Sequence, residues 1–529
     1  MNKKKTLLIA IFFGAVLSLI LKTFRDYGLT WDEEYHRTYG ELIIRWYQSF
    51  FKDTAATQHE FLIFYGGFFD TLAQGVSRLS PFGVYETRHL VGALFGLWTI
   101  FMSYKIARHM AGDLAGFFSA LFLTLHPVFY GHMFNNPVDT PFSALILTTL
   151  YYLISTYDQL PKLPAKSLIM LGISLGLTAA LRNVGILVLL PYLAVLWFLW
   201  FANQGIQTRS FFKNDRWRTL RDLVRNIGWI LAIAWPVMLA GWPWAQLDPL
   251  SNPFKAMVKG SRWGLNDNMP VFFNGRYQLV SAVPKDFVIK SMLLMSPEFF
   301  FIVLLTGILS AVVYIIRRPE LKTQTVKIGY LVFTCIFPVG AAILFNSPRY
   351  DGGRQFLFII PQLAILGGIS FAALLHSSLK RWGKALIILA VGASLCITAF
   401  DMITLHPYQT VYFNRILAGG LKKAAEKYET DYWGNSYREG ILWVIKHYQP
   451  ELHRKIRVLN AAKEFQTGYY LDQIPGAKDR IEMVQTDPDI FLATTRFERH
   501  RLFPGKILYI VERDHTPLLF VIEVLKKQP

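Results

Sequence analysis

Long apolar runs separated by short polar stretches fill the first three quarters of the chain. They cover roughly residues 6–22, 89–107, 114–130, 141–157, 167–181, 183–202, 226–245, 296–316, 327–345, 355–376 and 383–401. Each is long enough to cross a bilayer's hydrocarbon as a helix, so the pattern predicts about eleven transmembrane helices. Glu33 to Phe51 carries Tyr35, Tyr39, Leu42, Ile43 and Trp46 at helical spacing, which predicts an amphipathic helix along the membrane surface. Phe61 to Phe69 is apolar but too short to cross, and predicts a second interfacial helix. At His406 the pattern changes. A charged amphipathic helix is expected over Gly434 to Tyr448. Short alternating strands are expected at Ile456–Leu459, Ile490–Ala493, Ile507–Val511 and Leu518–Val524. The chain reads as a polytopic α-helical membrane domain over 1–405 followed by a small α/β domain over 406–529.

Composition agrees: of 529 residues 53% are hydrophobic and only 17% charged. A formal net charge of +19 suits a nucleic-acid partner in a soluble protein, but here the basic residues fall in short loops between apolar runs, where they act as topology determinants and headgroup contacts. If Lys3, Lys4 and Lys5 are inside, the inner loops carry Lys105 and Arg108, then Lys162 and Lys166. They continue with Arg209, Lys213, Arg216, Arg218, Arg221 and Arg225, then Arg317, Arg318, Lys322 and Lys327, and last Lys380, Arg381 and Lys384. This alternation predicts a cytoplasmic N-terminus in the plasma (inner) membrane and an extracytoplasmic C-terminal domain. The outer set is then about 23–88, a short turn near 131–140, the turn at Arg182, a long loop near 246–295, Ser347 to Arg354, and everything from His406. The start resembles a secretory signal but lacks a small-residue cleavage site, so it reads as a retained first helix. Cys335 and Cys396, the only cysteines, lie in apolar runs and supply neither a disulfide framework nor a thiolate zinc site.

The clusters with chemistry all fall in the outer set. Thr30-Trp31-Asp32-Glu33-Glu34-Tyr35-His36 places three carboxylates at the mouth of the first helix. Charge beside hydrocarbon is expensive unless solvated, paired or used, although Thr30 or Asp32 could equally cap the next helix. The stretch His126 to Pro141 brings His132 and Asp139 into a turn shaped by Asn136-Pro137 and Thr140-Pro141. Asp139 or Thr140 could again be only a cap, and His126 reads as a helix-end histidine. Arg182 sits in a very short turn, and Ser347 to Gln355 puts Arg349, Tyr350 and Arg354 around a double glycine. Arginines there can snorkel to headgroups or hold a lipid phosphate by paired hydrogen bonds.

Carboxylates beside cations at a headgroup suit sugar transfer from a lipid phosphate: a carboxylate takes the acceptor proton, and guanidinium or a metal eases departure of the phosphate. Trp31-Asp32-Glu33, Asn136-Pro137-Val138-Asp139-Thr140-Pro141-Phe142, Leu181-Arg182, Pro270 to Gly275, Tyr350 to Arg354 and Asp431-Tyr432-Trp433-Gly434 occur in order along most of the chain. In this the chain resembles the GT-C membrane glycosyltransferases of family 39, which include protein O-mannosyltransferases and the lipid A aminoarabinose transferases. The resemblance implies a GT-C fold and an inverting transfer from a polyprenyl-phosphate sugar. Asp32 would be the base with Glu33 beside it, and Asp139 would orient the acceptor or help hold a divalent metal where one is used. The phosphate would fall to Arg182, Arg349 and Arg354, with His59, His132 and Tyr350 as further substrate contacts. Where family members often carry a basic residue and paired prolines, this chain has Gln58-His59-Glu60-Phe61-Leu62, a departure that leaves phosphate binding by that loop open.

No residue pattern demands a metal or other cofactor. The implied partners are a polyprenyl-phosphate-linked sugar donor, the bilayer, and a glycan, lipid or protein acceptor, with no nucleic acid. Two rival classes stay open: a lipid-carrier transporter or flippase, for which the helices supply few polar groups, and a non-enzymatic cell-envelope assembly protein. Aromatic residues of the long outer loop, Trp263, Phe272, Phe273 and Tyr277 beside Arg262, Asn274 and Arg276, suit either a sugar ring or an interfacial belt.

Overall fold

The computed structural model describes residues 3–207, 216–260, 269–317, 323–450 and 454–525. Arg209, Lys213, Arg262, Trp263, Arg318 and Lys322 lie outside the described residues. Each of the eleven apolar runs coincides with a helix or a bent helix pair. Seven helices are long and apolar enough to cross a membrane: Lys3–Thr23, Val84–Ala111, Val184–Gln204, Trp217–Ala240, Thr323–Leu344, Ile359–His376 and Arg381–Thr404. Two bent pairs, Asp113–Thr124 with Pro127–Asn135 (69°) and Phe287–Met295 with Glu298–Leu309 (112°), bring the total to nine among the described residues. The remaining two runs are the largely buried helix Asp139–Thr156, with a polar first turn, and the shorter Ala165–Leu181.

Both bends have local causes. Proline ends the preceding helix at Pro127 and at Pro297. At the first bend the ring nitrogen Nδ1 of His126 accepts the Phe129 N–H at 3.4 Å, so His126 is the helix-end residue its position suggested. At the second, Asn414 Nδ2 donates to the carbonyls of Leu293 (2.6 Å) and Ser296 (3.0 Å). One expectation changes here. The segment carrying His132 is not an exposed turn but the buried helix Pro127–Asn135, because the bend folds its apolar faces back into the bundle.

The amphipathic helix is Glu33–Gln48, with Tyr39, Ile43 and Trp46 buried against Ala56 and Leu62. It crosses the helix Phe68–Ser77 at Gly40, where an added Cβ would stand 2.3 Å from the Asp70 carbonyl oxygen. The second interfacial helix expected over 61–69 is instead a short 3-10 turn, Glu60–Phe64, followed by Phe68–Ser77. The chain breaks at Gly66 because it passes against Ala180, whose carbonyl oxygen would be 1.8 Å from a Cβ. The long loop near 246–295 carries structure of its own among the described residues. It contains the helices Pro243–Leu247 and Asn252–Gly260 and a hairpin of β1 (Pro270–Phe273) and β2 (Arg276–Leu279).

Beyond His406 the helix Tyr437–His447 lies beside a five-stranded sheet of β3 (Ile456–Asn460), β4 (Ile481–Met483), β5 (Ile490–Thr494), β6 (Gly505–Arg513) and β7 (Thr516–Val524). The order is β4-β3-β5-β7-β6, with β3 parallel to β4 and β5 and the remaining pairs antiparallel. The three residues of β4 are too few to show an alternating pattern in sequence. The sheet region docks on the first loop: Gln466 Nε2 donates to the Leu29 carbonyl at 2.7 Å and Tyr469 to Glu86 at 2.6 Å.

Ion pairs collect at the helix ends remote from this docking. Lys5 (3.9 Å) and Arg108 (2.8 Å) share Asp113, while Lys327 (2.6 Å) and His109 (3.9 Å) share Asp158. Basic loops that hydropathy assigns to one side therefore meet at one end of the bundle.

Candidate active site

The first loop is seated by close packing. Tyr27 stacks on Phe134 with ring centroids 3.9 Å apart, and Asn135 Nδ2 donates to the Gly28 carbonyl (3.0 Å) and to Asn435 Oδ1 (2.6 Å). Thr30 Oγ1 donates to the Asn135 carbonyl at 3.2 Å. The loop, the Pro127–Asn135 helix and the turn before Tyr437 are thereby tied at one point.

The helix Glu33–Gln48 is then closed at its start by Glu33, not Asp32. The Glu33 carboxylate turns back to accept the Thr30 N–H (2.7 Å) and hydroxyl (3.2 Å), and its other oxygen meets His89 Nε2 at 2.9 Å. The turn that leads into the helix is thereby closed by a side chain of the helix's own first residue. Asp32 occupies the N-cap position but makes no capping hydrogen bond, so its carboxylate is available elsewhere. Both oxygens of Glu33 are thus engaged and the residue is buried, whereas Asp32 is partly exposed.

At the second corner capping is also done by a neighbour. Asn136 Oδ1 accepts the N–H groups of Val138 (3.1 Å) and Asp139 (2.8 Å), and its amide donates to Asp139 Oδ2 at 3.0 Å. Thr140 donates to the His132 carbonyl at 2.8 Å. Asp139 is thus no simple cap.

Both free aspartates meet Arg354. Its Nη2 lies 3.3 Å from Asp32 Oδ2, its Nη1 3.1 Å from Asp139 Oδ2, and its Nε 3.4 Å from Asp351 Oδ2. Arg182 Nη1 holds the second oxygen of Asp139 at 2.7 Å, and Arg496 Nη2 the second oxygen of Asp351 at 2.9 Å. Three carboxylates and three guanidiniums therefore form one connected cluster. Gly352 and Gly353 have φ of +63° and +77°, left-handed values that let the chain turn back at once so that Asp351 and Arg354 face each other. The Trp433 ring caps Arg354 at 4.2 Å and Tyr350 flanks it at 5.9 Å.

The carboxylates differ in access. The Asp32 side chain is 36% exposed, those of Asp139 and Asp351 only 2%. Asp32 is the accessible member of the cluster. Burial raises its pKa above the ordinary aspartate range, with Arg354 and His36 opposing the shift. Behind it His36 Nδ1 pairs with Asp70 (2.8 Å), which also holds Arg88 (2.7 Å).

His132 borders the cluster through Asn136 (3.3 Å) and the Tyr432 hydroxyl (3.3 Å). Two expected substrate contacts stand apart from it. The ring of His59 packs near Tyr39 at 5.6 Å, and no described contact joins it to the aspartates. Arg349 is buried and donates to the carbonyl of Val283 (3.2 Å) and to Asn346 (2.8 Å), fastening one loop to another. Among the described residues no group of three or more His, Cys, Asp or Glu side chains could hold a metal ion. The three aspartates share Arg354, so this donor set does not fit a metal without displacing that arginine.

Asp351, Trp433 and Arg496 enter the cluster without having been singled out as site residues. Asp351 and Trp433 lie inside motifs that the sequence does show, whereas nothing around Arg496 signals its role.

Residues 76–213, about a quarter of the chain, match the family of dolichyl-phosphate-mannose-protein mannosyltransferases. A search of curated proteins returned no match. Among solved structures, the chain is similar to ArnT from Cupriavidus metallidurans in the apo state, with a TM-score of 0.51, 14% identity and 97% of each chain covered. The same protein bound to undecaprenyl phosphate gives a TM-score of 0.50 at 14% identity, again over 97% of each chain. The protein thus has the GT-C fold of polytopic membrane proteins and resembles the membrane glycosyltransferases of family 39.

Proposed function

We propose that this protein transfers a sugar from a polyprenyl-phosphate carrier to an acceptor hydroxyl at the outer face of the plasma membrane. The observation that carries this reading is the convergence of Asp32 and Asp139 on Arg354 at the mouth of the helical bundle. The fold shared with ArnT supports it, as does the undecaprenyl phosphate bound by that protein.

In this scheme the exposed carboxylate of Asp32 accepts the acceptor's O–H proton as the oxygen attacks the anomeric carbon. The bond from that carbon to the phosphate oxygen breaks on the opposite face, its electron pair leaves with the phosphate, and the configuration inverts. Free polyprenyl phosphate is the second product. A pKa raised by burial makes Asp32 a stronger base than an aspartate in water. Arg354 and Arg182 stand where negative charge grows on the leaving phosphate, and fixed guanidinium groups need no reorganisation to meet it. Asp139, held by both arginines, keeps them aimed, and Glu33 sets the start of the helix that carries Asp32.

Orientation follows the charge pattern: basic loops inside, the aspartate cluster and the sheet region outside.

The test is transfer of a radiolabelled sugar from polyprenyl-phosphate donors by the purified protein, with Asp32→Asn as control. Loss of roughly 10²- to 10⁴-fold in kcat, the usual worth of a general base, is the expected outcome. Full activity in Asp32→Asn at unchanged protein level removes the base assignment.

A further inference from the structure

A second cavity opens beside the aspartate cluster, between the β1–β2 hairpin, residues 425–432 and residues 495–500. Its volume is about 160 Å³. That is space for several waters or for one sugar ring. Tyr432 lines both this cavity and a smaller one against Arg354 and His132, so the two share a wall.

The lining is built in a particular way. Phe272 and Tyr277 form one side, their rings 4.9 Å apart, with Tyr428 in the same wall. Against them stands Glu429, whose side chain is only 7% exposed and whose Oε1 has no hydrogen-bond partner; Arg496 Nε is its nearest cation at 3.6 Å. His500 Nδ1 is likewise unpartnered. A buried, unmade carboxylate hydrogen bond is costly, and natural structures keep few of them. Adjacent to the cavity Phe497 and Glu498 are two consecutive non-glycine residues with φ of +55° and +54°. Strain of this kind collects at ligand sites. Burial pushes the Glu429 carboxyl up to about 7, with Arg496 opposing and Asp351 adding to the shift. At neutral pH it can either donate or accept a hydrogen bond.

Aromatic faces pack on the C–H face of a pyranose, while a carboxyl oxygen and an imidazole nitrogen that lack hydrogen bonds suit ring hydroxyls. We propose that this cavity is an acceptor subsite for a hydroxyl-rich sugar ring, so that the acceptor is a glycan and not a protein side chain. The inference rests on the transferase reading above. Arg496 joins the two sites: it borders the cavity, bonds Asp351 of the aspartate cluster, and lies 4.6 Å over the ring of Trp31, next to Asp32. A ring held in the cavity therefore places the adjoining part of a glycan towards Asp32.

The test is saturation-transfer NMR of the full-length protein in detergent micelles with methyl α-mannoside, methyl β-galactoside and methyl β-N-acetylglucosaminide. At least one glycoside binds the native protein, and its affinity falls about tenfold or more in Tyr277→Ala and in Glu429→Gln, the size of one lost good contact. Tyr277→Phe keeps the ring and retains binding, which separates stacking from a folding defect. If no glycoside contacts the protein, or binding is the same in Tyr277→Ala and Glu429→Gln, the subsite is disproved. If transfer still depends on Asp32 while the cavity variants bind glycosides normally, the transferase reading stands and the glycan acceptor falls.

Discussion

Asp32 and Asp139, far apart in the chain, are bonded to opposite nitrogens of one guanidinium, at 3.3 and 3.1 Å from Arg354 Nη2 and Nη1. Two carboxylates this close repel each other unless a cation lies between them, so Arg354 is what permits both to be charged at once. The guanidinium is thereby fixed between the two carboxylates, with Asp32 the more accessible of the pair.

Replacing Arg354 tests this directly. Arg354→Ala is expected to lower kcat by at least about 10²-fold, the usual effect of losing a positioned electrostatic donor. Arg354→Lys recovers little, because a point charge cannot span three carboxylates as the planar fork does. Steady-state kinetics on both variants, with protein amount checked by size exclusion, decides it.

The acid side of the pH profile follows from Asp32. Its pKa is raised by burial, and the base must be deprotonated, so activity falls as pH drops through a midpoint above the usual aspartate value of about 4. Arg354 holds that pKa down by its charge, so whatever activity Arg354→Ala retains has its acid limb displaced to higher pH, while Arg354→Lys, which keeps a cation, shifts it less. Profiles of kcat/KM from pH 4 upward measure the shift; an acid limb at or below the ordinary carboxylate range contradicts it.

Asn136 holds Asp139 in place through its side-chain amide. Asn136→Ala removes acceptors for two backbone N–H groups and a donor to Asp139. A cap of this kind is worth about 0.5–2 kcal/mol. The expected result is a lower Tm with a reduced kcat, while Asn136→Asp keeps the backbone contacts but sets a like charge 3.0 Å from Asp139 and loses activity more than stability. Thermal melts alongside transfer assays distinguish the two.

Trp433 covers Arg354 at 4.2 Å. Trp433→Leu removes a cation–π contact worth about 0.5–2 kcal/mol and is expected to reduce kcat/KM by several-fold to about thirtyfold. Trp433→Phe should lie between it and the native protein.

Gly28 is a tight packing point beside Asp32: an added Cβ would stand 2.0 Å from the Asn435 carbonyl oxygen. Because the obstacle is backbone, Gly28→Ala is expected to destabilise the protein by about 1–3 kcal/mol and to move Asp32 away from Arg354. A melt with unchanged Tm and full transfer activity would contradict this.

How much of this was legible along the chain differs from residue to residue. Apolar runs of spanning length announce helices without any tertiary information, because lipid leaves the backbone no other partner. The loops at the ends of those helices were visible for the same reason, and with them Asp32, Asp139, Arg182 and Arg354. Glu33 shows a limit of that reading: adjacent carboxylates look alike along the chain, yet Asp32 meets Arg354 while Glu33 bonds Thr30 and His89. Arg349 shows another: two arginines five residues apart around a glycine turn look equivalent in sequence, yet one faces the aspartates and the other is buried against Val283 and Asn346. Arg496 carried no signal, since it is brought to Asp351 only by docking of the sheet region on the first loop.

The sequence by itself determined the helical membrane class, the alternation of basic and acidic loops and the C-terminal strands, because each follows from local hydropathy and charge. Tertiary structure alone decided which carboxylates share a cation, which are caps, and where the second cavity lies. Those outcomes depend on distances of a few ångströms between side chains from separate helices, and packing sets such distances where order along the chain does not.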